Sequence, residues 1–87
     1  MKSVITVVGK DKTGIIARVS NVLYENGINI LDISQTIMDD MFTMIMMVDM
    51  SNVLHKTIAE ELEKIADEMG LSIHLQNEEV FRSMHRI

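Results

Sequence analysis

Residues 4–34 read VITVVGKDKTGIIARVSNVLYENGINILDIS, and the change of hydrophobic period inside this stretch decides the fold. From Ser3 to Gly9 the chain is β-branched and apolar on both parities, the pattern of a strand covered on both faces. That run stops at Gly9, and a polar turn follows, Lys10-Asp11-Lys12-Thr13-Gly14. Beyond it the apolar residues fall at Ile15, Ile16, Val19, Val22 and Leu23, steps of three and four that predict a helix with one buried stripe. Gly27 is placed to end that helix in the left-handed conformation. Residues 28–38, INILDISQTIM, return to extended character, but Asn29, Asp32, Ser34, Gln35 and Thr36 make this strand more polar than the first.

After this unit, Asp39-Asp40 is a turn signal leading into MFTMIMMVDM (41–50), again apolar on both parities, so the two segments predict a hairpin. Ser51 or Asn52 is placed to cap a second helix by accepting a hydrogen bond from its first N–H groups. The buried stripe of that helix is Leu54, Ile58, Leu62, Ile65 and Met69; Glu60 and Lys64 face solvent at i,i+4, and Gly70 ends it. Residues 71–77, LSIHLQN, alternate, with Leu71, Ile73 and Leu75 inward and Ser72, His74 and Gln76 outward. The tail, 78–87, predicts a short closing helix using Val80, Phe81, Met84 and Ile87. The expectation is one domain over 1–87 with a core of about 3–77 and a C-terminal helical tail. Its order, βαββαβ, predicts an α+β, ferredoxin-like sandwich: a four-stranded antiparallel sheet with two helices on one face. The doubly apolar first and third strands belong at the centre of that sheet, and the second and fourth at its edges.

Composition narrows the function. A chain of 87 residues buries only about 60–65% of the surface its unfolded form exposes, which favours self-association. A net charge of −5 disfavours nucleic acid and anionic membrane as partners. No cysteine is present, so disulfides, thiol chemistry and thiolate metal sites are excluded. Residues 1–9 are too short for a signal segment or a bilayer span, and the expectation is a soluble, cytoplasmic protein. Helices cover only one face of such a sheet, yet Val4, Val8, Ile45 and Met47 share one parity and Ile5, Val7, Met44, Met46 and Val48 the other. One set must face away from the helices, as an apolar patch of several hundred Å² that marks an interface. Its burial would stabilise an oligomer by about 25 cal/mol per Å² before the costs of association.

The turn has two readings. Gly14 opens the helix, whose first N–H groups have no internal partner and suit a carboxylate, while Asp11 suits an ammonium and Lys10 or Lys12 can steer an anion. Together they suit a zwitterion. The plainer reading has Asp11 or Thr13 capping the helix and the lysines merely solvated. Neither the glycine spacing nor the lysine-serine ending of a nucleotide loop is present. Asn29 offers a donor and an acceptor at the start of an edge strand, near a helix start of its own chain or a neighbour's; alternatively it continues the Asn26-Gly27 turn. Met41, Met44, Met47 and Met50 recur every three residues, but on a strand that spacing alternates faces, so the sulfurs cannot converge on copper. His55, His74 and His85 have no ligand spacing, and no metal or cofactor is expected.

These residues resemble a family. A strand ending in Gly-x-Asp, Gly14-Ile15 opening the helix, and GINILDIS starting the next strand are similar to the signature of ACT domains. The likeness is strongest to short stand-alone ACT proteins and to the ACT segments of glycine-cleavage repressors and formyltetrahydrofolate deformylases. The resemblance implies a homodimer or higher homo-oligomer, often side by side as one eight-stranded sheet, with amino acids bound at the interface. It also implies the site: Asp11, Thr13, Gly14 and Ile15 from the first loop of one subunit, with Asn29, Ile30 and Leu31 of its neighbour. Thr13 departs from the proline that many members carry there. The expected function is a non-catalytic, amino-acid-binding regulatory module that acts through a protein partner or its own assembly. The alternatives are a ligand-free structural dimer, a small acylphosphatase-like enzyme and an RNA-binding sheet. The enzyme would need an arginine in the first loop, where none occurs, since Arg18 lies a turn inside the helix. The RNA sheet would need stacking aromatics, and the central strands hold only Phe42.

Overall fold

The computed structural model describes residues 2–50 and 55–84. The elements follow the expected order: β1 (Lys2–Lys10), α1 (Ile15–Glu25), β2 (Asn29–Met38), β3 (Met41–Asp49), α2 (His55–Met69), β4 (Leu71–Asn77) and α3 (Glu78–Met84). The sheet order is β2-β3-β1-β4, antiparallel at every pairing. The doubly apolar strands are therefore central, and the fold is ferredoxin-like α+β. Four earlier expectations lie outside the described residues: the Ser51 or Asn52 cap, Leu54 of the α2 stripe, His85 and Ile87 of the tail.

Local chemistry sets the joints. At the end of α1, Gly27 N–H donates to the Tyr24 carbonyl (3.1 Å) and Ile28 N–H to the Leu23 carbonyl (2.9 Å), the paired bonds that close a helix at glycine. The β2–β3 hairpin turns through Asp39-Asp40 between paired Met38 and Met41. Gly9 pairs with Leu71 at the start of β4. A Cβ there would stand 2.6 Å from Leu71 Cδ2 and 3.3 Å from Leu71 Cα, so the missing side chain is what lets the two strands approach.

The sheet has two unlike faces. Ile5 and Val7 of β1, Met44, Met46 and Val48 of β3, and Leu71 of β4 pack under Ile15, Val19 and Leu23 of α1 and Ile58, Leu62 and Ile65 of α2. Half-buried Ile73, Leu75 and Met69 extend this core. Met44, Met46 and Met50 are thus core packing, fully out of solvent. On the opposite face lie Val4, Val8, Ile45 and Met47. The expected open patch is reduced there, because α3 packs on β1 and β4 rather than on either long helix. Phe81 lines a small cavity of about 110 Å³ there together with Val4, Ile45 and Met47. Val4, on β1, is only 2% exposed, while Ile45, on β3, is 39% exposed.

Candidate functional site

The first loop is braced from two sides. Asp11 N–H donates to the Asp40 carbonyl (2.6 Å), tying the loop to the β2–β3 hairpin. Lys12 Nζ donates to the Met69 carbonyl (2.8 Å), at the last turn of α2. A cation there also meets the negative end of that helix dipole. Lys12 is therefore neither merely solvated nor turned toward an incoming anion, whereas Lys10 is exposed.

Gly14 takes φ 92°, ψ 2°, and stands as the N-cap of α1. No side chain caps the helix, so the plainer reading of Asp11 or Thr13 as a cap is corrected. The reason is the left-handed turn at Gly14, which sets the backbone rather than a side chain at the capping position. Arg18 N–H donates to the Gly14 carbonyl at 2.9 Å, the first bond of the helix. The amides ahead of Arg18 have no acceptor within the helix, and Gly14 is only half-buried. Asp11 and Thr13 are exposed beside them. Ile15 is different: its side chain lies in the core at 2% exposure, so only its backbone N–H is available to a ligand.

The second half of the site lies elsewhere. Asn29 pairs with Asp49, which pairs with Lys2, while Lys10 pairs with Met41, which pairs with Met38. The first loop and Asn29 thus occupy opposite ends of the sheet, separated by the length of β1, about 26 Å at ~3.3 Å per residue. Asn29 does not approach its own helix start, because an antiparallel edge strand begins where the hairpin end of the sheet is farthest away. Ile30 leans half-buried against the core, and Leu31 sits exposed where the β2–β3 register shifts.

Strand β2 is the other notable feature. It forms one edge of the sheet, with only β3 beside it. Every residue along it except Ile30 is exposed, including Ile33 at 45%, Ile37 at 53% and Met38 at 71%. Ile33 pairs with Met46 and Ile37 with Phe42, so both stand on the helix-bearing face but beyond its cover.

Some contacts were invisible to pattern reading. Arg18 forms an ion pair with Glu68 of α2 across a solvent-facing groove of about 600 Å³ between the long helices. Asn26 Nδ2 donates to the Val22 carbonyl and to Glu61 Oε2, both at 2.8 Å. These partners stand 50 and 35 residues apart, and no local spacing announces them. Phe42 lies in the core at 2% exposure, so it offers no stacking surface to a base. Among the described residues no helix is long and apolar enough to cross a membrane.

Comparison with known proteins agrees with this fold. The family model of the ACT domain matches residues 3–76. A UPF0237 protein of Methanocaldococcus jannaschii is 55% identical over 86 residues, covering 97% of this chain and 96% of that one. Among solved structures, an ACT domain protein from Streptococcus pneumoniae superposes with TM-score 0.79 at 43% identity, covering 93% of each chain. The regulatory subunit of aspartate kinase from Thermus thermophilus, solved in a ligand-free form, superposes with TM-score 0.70 at 27% identity, over 86% of this chain and 50% of that one.

Proposed function

The chain belongs to the ACT-domain family, and from that premise we propose that it is a non-catalytic regulatory module: a cytoplasmic homodimer that binds an amino acid at the seam between its subunits. ACT domains are typically regulatory modules for small molecules and commonly form homo-oligomers. The finer reading rests on one observation. The two halves of the expected site sit at opposite ends of the sheet, and the strand between them is a bare edge carrying Ile33, Ile37 and Met38 to solvent.

A second copy running antiparallel along β2, centred near Ile33 and Ser34, would bring the two halves to one end. Its Asn29 would lie beside Met38 of the first protomer, at the end where the first loop of that protomer stands. Such a pairing would fill the edge hydrogen bonds of β2 and bury its exposed isoleucines. The same operation builds a second, identical site at the far end. In each, the opening amides of α1 and the exposed Lys10 suit the ligand carboxylate. Asp11 suits the ammonium, and the Asn29 amide can both donate and accept. The exposed Leu31 adds an apolar contact.

The acylphosphatase-like reading is weaker, because the Arg18 guanidinium is engaged by Glu68 on the outer side of the helix pair. A ligand-free structural dimer is separated by experiment. In a thermal-shift screen of the twenty amino acids, a ligand at a hundred times its Kd should stabilise the fold by about 2.7 kcal/mol. Sedimentation should report a dimer. A dimer that no amino acid stabilises would favour the structural reading, and single chains at micromolar concentration would remove both.

A further inference from the structure

The open face of the sheet holds a second cavity, remote from the first loop and unrelated to the seam. It is about 310 Å³, between the sheet and α3, and is lined by Thr6, Ile45, His74, Gln76, Phe81 and Met84. The volume falls within the range of small-molecule sites. Three residues form an apolar wall, Ile45 below with Phe81 and Met84 from α3. Thr6, His74 and Gln76 supply polar groups from adjacent strands, since Thr6 pairs directly with His74. The Ser72 hydroxyl lies 3.1 Å from His74 Nε2 and orients the ring.

One contact is chemically poor. Gln76 Nε2 donates to the Met84 thioether at 3.1 Å, and sulfur is a weak acceptor. Met84 is 63% exposed on an unbranched, flexible side chain, so an oxygen acceptor can take its place at little cost. We propose that this cavity binds a small apolar carboxylic acid, its hydrocarbon body between Ile45 and Phe81 and its carboxylate accepting from Gln76, with the Thr6 hydroxyl and the His74 ring at hand. An amine is disfavoured because no carboxylate among the described residues lines the cavity. Asp32 lies in the neighbouring cavity across Phe81, and its Oδ1 accepts the Ile33 N–H. The site is thus selective against the zwitterion expected at the seam.

The test is a two-dimensional amide NMR titration of the full-length protein with phenylacetate, hexanoate and phenethylamine. Both acids should shift the amides of Thr6, Ile45, His74, Gln76 and α3 and leave those of residues 11–15 in place; phenethylamine should shift none of them. Gln76→Leu should weaken phenylacetate binding about tenfold, the loss of one hydrogen bond to a charged acceptor. Ile45→Trp, which fills the cavity from its exposed side, should abolish binding without removing a donor. Three results would overturn the proposal: no shifts with either acid, equal binding of the amine, or acid-induced shifts centred on the first loop. Unchanged affinity in both variants would do the same. Only the last of those three results touches the seam, whose ligand maps to residues 11–15 and 29–31; the other two, and the variants, leave it untested and intact.

Discussion

Gly14 shows how much a single residue can decide. Its φ of 92° lies where a Cβ is strained, although open space surrounds it. Gly14→Val should therefore cost stability through the backbone alone, about 1–3 kcal/mol, lowering Tm by several degrees in a domain of this size. The fold should survive by circular dichroism, while calorimetry should find amino-acid binding lost. Unchanged affinity would count against the loop as a binding element. Gly9 fails for the opposite reason: Gly9→Ala meets Leu71 directly and should destabilise by about 1–3 kcal/mol, measured by urea unfolding. That Gly14 opens a helix was legible in the sequence, because the apolar period changes at Ile15. The role of Lys12 was not, because its acceptor, the Met69 carbonyl, is 57 residues away and exists only once α2 is folded.

Among the elements, the strands were the most legible and α3 the least. Apolar residues on both parities ranked β1 and β3 as central, since only a strand flanked on both sides and covered on both faces profits from them. A short helix at the tail was also readable from Val80, Phe81 and Met84. Its docking side was not, because the choice of face depends on which side of β4 the chain leaves. Val80 N–H donates to Asn77 Oδ1 at 2.7 Å, the cap that starts this helix. Asn77→Ala should cost about 1 kcal/mol, and amide exchange should become fast throughout α3 while β1 and β3 stay protected. Slow exchange in α3 of that variant would mean that Phe81 alone holds it. For β2, Ile33→Lys puts a charge on a half-exposed edge position; the monomer fold should persist while sedimentation shows the dimer dissociating. Retention of the dimer would move the interface to another surface.

At the scale of the whole molecule, the parts of the proposed site were legible while their meeting was not. Asp11, Gly14 and Asn29 stand out by type and position, but whether they converge is a property of strand register and symmetry. Within one protomer they lie at opposite ends of the sheet, so the proposed function stands or falls with an antiparallel copy on β2. The sequence contains no cysteine, which makes single introduced thiols unambiguous reporters. In that assembly residue 29 of one chain lies beside residue 38 of the other, whereas each lies about 30 Å from its own copy, nine residues at ~3.3 Å. The most direct measurement is cross-linking with a short bis-maleimide. After subunit exchange, an equimolar mixture of Asn29→Cys and Met38→Cys proteins should give covalent dimers from its mixed pairs, and either variant alone should give almost none. Dimers from the separate variants, or none from the mixture, would contradict the shared seam.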